Sequence, residues 1–415
     1  MNYRLYNAKV LVGTKIIDGE VWVKNNIISY VGNAKSSKEL CFEQFNEQID
    51  LNNKLIMPGL INMHTHTSMS WARNLFNDSS LQEWLNNGVL LCEQKMCKED
   101  FYWTTLYGIK ELVRGGVTTC LDMYINNKET YKAFNMAKFR AVLSIFPNEV
   151  DLIKQNQNDL IKFFMQIHSV YNVSEQDIED VVRLANKHKL GINMHLSETL
   201  EEMGECNLKN GCTPAEYLDS FGVFSRPCVC AHCVYLDDND YMLLSSNGAT
   251  AVLNNSANLK LGSGIAPAYT MMKRGINLCI GTDGAGSNNH IDMFKEMFLT
   301  ATLSKGVMHD SKVITNDEVI KMATINASNA LGIANLGEIK EGNLADLIVL
   351  DIGEPNYRPY QFLENGLVYC ANSKDIVLTM VNGNILYRNG SYNLGEDVAL
   401  IDEKFGEVVK RITCR

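Results

Sequence analysis

The run Leu55-Ile56-Met57-Pro58-Gly59-Leu60-Ile61-Asn62-Met63 leads directly into His64-Thr65-His66. An apolar run this short, interrupted by Pro and Gly, fits a buried strand better than a helix, and alternate residues of a strand point the same way. His64 and His66 are therefore expected to reach one metal ion from a strand tip. A lone His-x-His is equally compatible with one imidazole capping the strand and the other facing water, so its meaning depends on the rest of the chain.

Seven further short apolar runs follow, spanning residues 116–123, 139–146, 163–168, 191–196, 227–233, 248–253 and 276–282, separated by polar, helix-like stretches. Eight strand–helix units are what a (β/α)8 barrel requires, so the expected class is α/β with a TIM barrel. In such a barrel the polar residues at the strand ends, His64, His66, Asp122, His168, His195, His232, Asn254 and Asp283, meet at the C-terminal mouth. The chain ends read differently. Residues 8–12, 19–23 and 27–32, and again 344–350, 376–382 and 383–387, are short strand-like runs. Neither end can bury a sheet alone, which predicts a small β-sandwich built from both. The expected organisation is residues 1–54 for the first half of the sandwich, 55–336 for the barrel, and 337–415 for the second half and a tail.

Composition narrows the partners. The chain has 415 residues, a formal net charge of -10 and no run of Lys or Arg, which leaves no electrostatic footprint for nucleic acid. No apolar stretch approaches the ~20 residues of a membrane span, and residues 1–9 lack a signal-like apolar core, so a cytoplasmic protein without a membrane partner is expected. The twelve cysteines are read as free thiols. Cys230 and Cys233, in Cys228-Val229-Cys230-Ala231-His232-Cys233, have the spacing of half a zinc knuckle. Cys206 and Cys212 are too far apart to supply the other half, so burial as small apolar residues is the preferred reading.

Three strand tips add chemistry to the first. Gly191-Ile192-Asn193-Met194-His195-Leu196-Ser197-Glu198 carries a His and, three residues on, a Glu; Cys230-Ala231-His232 carries another His; Ile280-Gly281-Thr282-Asp283-Gly284 carries an Asp. Neutral imidazole suits a zinc-like ion, and an uncoordinated carboxylate nearby can carry protons. Imidazoles and a carboxylate on a barrel rim make a hydrolytic metal site, where the ion lowers the pKa of bound water to roughly 7.

These stretches, with Pro58-Gly59-Leu60-Ile61-Asn62-Met63-His64-Thr65-His66, Leu259-Lys260-Leu261-Gly262-Ser263-Gly264-Ile265-Ala266-Pro267 and Gly342-Asn343-Leu344-Ala345-Asp346, resemble the amidohydrolase superfamily. Within it the chain is similar to 5'-methylthioadenosine/S-adenosylhomocysteine deaminases and their triazine-hydrolysing relatives, from about residue 3 to 400. The resemblance implies one divalent metal per chain, zinc or else iron, held by His64, His66, His195 and Asp283. It implies that Glu198 delivers a proton to the purine N1 and that His232 and Asp283 orient and deprotonate the attacking water. It places Trp84, Glu93, His168, Glu198 and Ser287 against the substrate. Gln166-Ile167-His168 replaces the carboxylatable lysine of two-metal relatives. One departure bears on specificity: the family's two arginines after strand three are absent, with Ser144 at the first position and Arg140 earlier on the strand. That disfavours S-adenosylhomocysteine, whose carboxylate those arginines suit, and favours 5'-methylthioadenosine, 5'-deoxyadenosine or adenosine. A second departure, Asn254-Asn255-Ser256-Ala257-Asn258 in place of Pro-x-Ser-Asn, affects the contact from strand seven.

The rival readings are the same machinery acting on guanine, a pterin or a triazine, hydrolysis of a cyclic amide, and a scaffold that has lost its metal. The expected partner is a small-molecule substrate. A homo-oligomer is compatible with the sequence, in which Met293-Phe294-Lys295-Glu296-Met297-Phe298-Leu299 suits either barrel core or subunit contact. The long connection at residues 68–98 suits a lid.

Overall fold

The computed structural model describes residues 1–40, 43–75 and 77–413. Its centre is a sheet of eight strands: β1 (Leu60–Thr65), β2 (Val117–Met123), β3 (Arg140–Ile145), β4 (Ile161–Ile167), β5 (Gly191–Leu196), β6 (Cys228–His232), β7 (Thr250–Leu253) and β8 (Asn277–Ile280). Each strand pairs in parallel with the next in sequence. Past the end of β8 the chain curls back onto β1. The Asp283 N–H donates to the His64 carbonyl at 2.9 Å, and Asn62 spans the same seam to the Thr282 hydroxyl at 2.7 Å and the Thr282 N–H at 3.0 Å. Gly281 makes this approach feasible, because a Cβ there would lie 2.8 Å from the His64 backbone nitrogen and 2.6 Å from Asn254 Oδ1.

Ile61, Met63, Leu121, Val142, Phe164, Val229, Val252 and Cys279 fill the barrel, and Ala327, Leu331, Ile333 and Leu336 pack with them. The larger core lies between the strands and the surrounding helices. Four of those helices matter below: α1 (Lys98–Arg114), α2 (Leu200–Asn210), α3 (Met293–Met308) and α4 (Val398–Thr413). In α3, Met293, Phe294 and Met297 are buried while Phe298 is exposed. Phe405 of α4 stacks on Tyr107 of α1 with ring centroids 3.7 Å apart, and Arg411 pairs with Asp100.

Both chain ends form one continuous nine-stranded sheet with a core of its own. It brings Asn2–Val12, Lys15–Lys24, Ile27–Gly32 and Glu47–Asp50 together with Leu347–Leu350, Ile376–Val381, Asn384–Arg388 and Ser391–Tyr392. Leu55–Pro58 joins the two halves, pairing with Lys9-Val10 on one side and Leu347–Leu350 on the other. The run that opened the sequence is therefore two strands rather than one. The chain crosses from outer sheet to barrel at Gly59, whose N–H bonds the Asp346 carbonyl at 3.1 Å; a Cβ there would collide with Thr118. Apolarity alone could not show the crossing, because both strands are buried.

Cys228, Cys230 and Cys233 are buried and free, as are the other buried cysteines among the described residues. No helix among the described residues is long and apolar enough to cross a membrane.

Candidate metal and acid–base site

The strand tips converge on a buried cluster. His66 Nε2 lies 3.1 Å and His64 Nε2 3.6 Å from Asp283 Oδ1, and His195 Nε2 lies 3.4 Å from His66 Nε2. His64, His66 and His195 form one group whose ligand atoms lie within 4.8 Å of one another, and His64, His232 and Asp283 form a second. The backbone sets the tautomers. His66 Nδ1 donates to the Met123 carbonyl at the end of β2, and His195 Nδ1 to the His168 carbonyl at 2.7 Å. Each ring is left with a lone pair on Nε2, where a metal ligand needs it.

His64 is fully buried and neither ring nitrogen has a hydrogen-bond partner. A buried imidazole without a partner is costly unless something coordinates it, so these residues fit a divalent ion. Burial lowers His64 to about 4 and holds His195 well below the ordinary imidazole value. Burial alone would raise Asp283, but the His64 and His66 rings outweigh it and keep the carboxylate well below the usual range. His66 alone shifts upward, since burial lowers it but the Asp283 carboxylate beside it outweighs that; with its Nε2 proton displaced by an ion, the set becomes the neutral imidazoles and ionised carboxylate that a borderline-soft cation prefers.

Glu198 lies beside this cluster, against His232 of its second group. His232 Nδ1 donates to Asn258 Oδ1 at 2.7 Å, which leaves Nε2 free to accept a proton, 3.7 Å from Glu198 Oε2. Ser263 donates to Glu198 Oε1 at 3.2 Å, and burial pushes the Glu198 carboxyl above the ordinary range. Such a carboxyl holds a proton nearer neutral pH, as an acid catalyst requires. Ser197, His232, Cys233 and Asp283 have φ of 52°, 74°, 48° and 60°. Left-handed backbone is strained for residues other than glycine, and such strain concentrates at functional sites.

A cavity of about 400 Å³ opens from His66 between Leu85, Val89, Glu93, Tyr124, Phe146, Pro147 and His168. Glu93 and His168 both line it. Glu93 accepts the Tyr124 hydroxyl. His168 Nδ1 accepts from Asn172 at 2.8 Å, which leaves its proton on Nε2. Trp84 and Ser287 do not line this cavity. Trp84 packs in a satellite core with Met69, Trp71 and Phe101, against Gly286, and the Ser287 hydroxyl donates to the Gly284 carbonyl at 3.0 Å. Asp122 belongs to neither ligand group: its Oδ1 accepts the Thr67 N–H at 2.7 Å and so fixes the turn after β1. Of the positions that depart from the family, Ser144 is buried and accepts from Asn193, and Asn254 is buried against Gly281.

Sequence reasoning missed Asn258, Ser263, Tyr124 and Glu202, which orient the groups it found. Asn258 and Ser263 lie in stretches the sequence does mark, but nothing in their spacing reveals a partner on another strand.

With this geometry in hand, the chain can be set beside known proteins. A model of the amidohydrolase family matches residues 55–386. The chain is 36% identical to a 5-methylthioadenosine/S-adenosylhomocysteine deaminase of Acetivibrio thermocellus, over 99% of its own length and 100% of that protein's. An adenosine deaminase of Xanthomonas campestris with bound zinc superposes with a TM-score of 0.91 at 26% identity, covering 99% of this chain and 98% of that one. An atrazine chlorohydrolase of Arthrobacter aurescens complexed with zinc gives 0.88 at 19% identity, covering 98% of this chain and 100% of that one, and so speaks to the fold alone. The chain belongs to the amidohydrolase family and is a hydrolase of carbon–nitrogen bonds with a divalent-metal site.

Proposed function

We propose that the protein is a hydrolytic deaminase of adenosine-type nucleosides with one divalent ion per chain, zinc in preference to iron. We further propose that it favours uncharged 5' groups, as in 5'-methylthioadenosine, 5'-deoxyadenosine and adenosine, over S-adenosylhomocysteine. The carrying observation is the Glu198–His232 pair, 3.7 Å apart where Glu198 meets the ligand cluster. Both displacements need a base for the attacking water, but an amine leaves only once protonated and so needs an acid as well, whereas chloride leaves unprotonated.

His64, His66, His195 and Asp283 would hold the ion, which when bound lowers the pKa of water to roughly 7. Glu198 carries a proton to the purine N1, which makes C6 more electrophilic. His232 and Asp283 orient the attacking water and take up the proton released as its oxygen adds to C6. That proton passes to the exocyclic nitrogen, the C6–N bond breaks as the remaining proton of the added water returns to Glu198, and ammonia and the inosine analogue leave. Glu93 accepts from the ribose hydroxyls, and His168 Nε2–H donates to the base. Trp84 and Ser287 would serve from behind the cavity wall, by packing.

The preference for an uncharged 5' group rests on the cavity wall. The described residues lining it include Glu93 and Asp177 but no Lys or Arg. Arg140 is committed elsewhere, to Asp346 at 2.8 Å. A carboxylate on the substrate would meet no charge-assisted donor there.

The test is ammonia release by metal-replete protein from 5'-methylthioadenosine and S-adenosylhomocysteine side by side. The expected kcat/KM is at least tenfold higher for the first. Equal rates would overturn the specificity. Silence with both, in protein holding about one metal per chain, would overturn the nucleoside assignment and favour free bases, pterins or triazines.

A further inference from the structure

Ser80, Ser174, Thr213 and Thr315 each open a helix with the usual reciprocal cap: the hydroxyl accepts the N–H three residues on, and the acid there reaches back to the N–H of the cap. Helix α2 begins differently. Thr199 caps it, accepting from the Glu202 N–H at 3.1 Å, but the Glu202 carboxylate does not return to Thr199. It reaches past the cap. One oxygen accepts the Ser197 N–H at 3.1 Å and the other the Glu198 N–H at 2.7 Å. Glu202 is 3% exposed, whereas the acids of the four ordinary caps are exposed or half-buried.

The turn held in this way serves both strand tips. Ser197 is in the left-handed region, and its carbonyl accepts the N–H groups of Val234 and Tyr235 at 3.0 Å each. The Cys233 N–H donates to the Leu196 carbonyl at 3.0 Å. The segment after β6, which begins at His232, is thereby latched to the turn that carries Glu198. Both Glu202 oxygens are engaged by backbone N–H groups, and Glu202 is not among the residues that line the cavity.

We propose that Glu202 is a positioning residue whose carboxylate fixes the relative placement of Glu198 and His232. The proposal rests on the deaminase reading above, in which that pair moves the protons. Removing either acceptor leaves a buried N–H unpaired and lets the turn relax, at the expense of the Glu198–His232 and Glu198–Ser263 distances.

The test compares Glu202→Gln, which keeps the shape but replaces one acceptor oxygen with an NH2 group, with Thr199→Ala, which removes the ordinary cap of the same helix. For 5'-methylthioadenosine, Glu202→Gln is expected to lower kcat at least tenfold while KM and metal per chain stay within twofold. Thr199→Ala is expected to lower Tm with kcat within twofold. Glu202→Asp, which keeps the charge but shortens the reach, is the second variant should Gln prevent folding, and the same split is expected of it. An unchanged kcat, a loss of metal and KM together with kcat, or an equal kcat loss in Thr199→Ala would overturn the positioning role. A silent, metal-replete wild type would sink the deaminase reading as well, whereas an active wild type with an unaffected Glu202→Gln would sink the positioning role alone.

Discussion

At the scale of single residues, the site has groups that would bind the ion, Asp283 among them, and groups that move protons without holding it, and the two kinds should fail differently. Asp283 carries the only carboxylate in the buried ligand clusters. Asp283→Asn is therefore expected to leave well under half an equivalent of metal per chain, measured by atomic emission on dialysed protein, with activity falling further than the metal because the amide cannot take up the proton. Glu198 touches His232 and Ser263 but belongs to neither cluster. Glu198→Gln is expected to keep its metal and lose about a hundredfold to ten-thousandfold in kcat, the range that acid–base groups supply. Metal loss in Glu198→Gln, or full occupancy in Asp283→Asn, would contradict these assignments. The sequence marked His64, His66, His195, Glu198, His232 and Asp283 because each stands at the end of an apolar run or just past it. It could not mark Asn258 or Ser263, because their roles depend on contacts across 26 and 65 residues of chain.

At the scale of elements, the turns after the strands are held by buried polar groups from neighbouring helices. Glu296 of α3 is the clearest case: it accepts the Ser256 N–H at 3.1 Å and the Asn288 amide at 3.0 Å, and burial pushes its carboxyl up to about 7. An unfolded Glu titrates near about 4.3. Between those values the native state holds a proton that the unfolded chain has lost, so stability from this group is full below about pH 4.3 and is lost as pH rises through about 7. Glu296→Gln cannot ionise. The difference in Tm, wild type minus variant, should fall from pH 5 to pH 7.5; melts at fixed ionic strength that show no change, or a rise, would refute this. Strand positions were readable from hydrophobic runs, but the break at Gly59 was not, since Leu55–Pro58 and β1 are equally buried on two different sheets.

At the scale of the whole molecule, one buried ion pair ties the barrel to the sheet made by the chain ends. Arg140 on β3 donates to both oxygens of Asp346, at 2.8 and 2.9 Å, and Asp346 also accepts the Asn382 N–H at 2.8 Å. Asp346→Ala would leave a buried guanidinium unpaired and is expected to cost about 3–5 kcal/mol, read from denaturant midpoints. A loss below about 1 kcal/mol would show that water reaches Arg140. The sequence by itself determined the eight-unit repeat, the sheet from the chain ends and the identity of the groups at the strand tips, because hydrophobic period and residue type are local properties. Only the tertiary structure decided which tips meet, that Arg140 serves the frame rather than a substrate, and that Glu202 grips the turn before its own helix. Those outcomes depend on closure of the β8–β1 seam and on contacts between residues far apart in the chain, which local pattern does not encode.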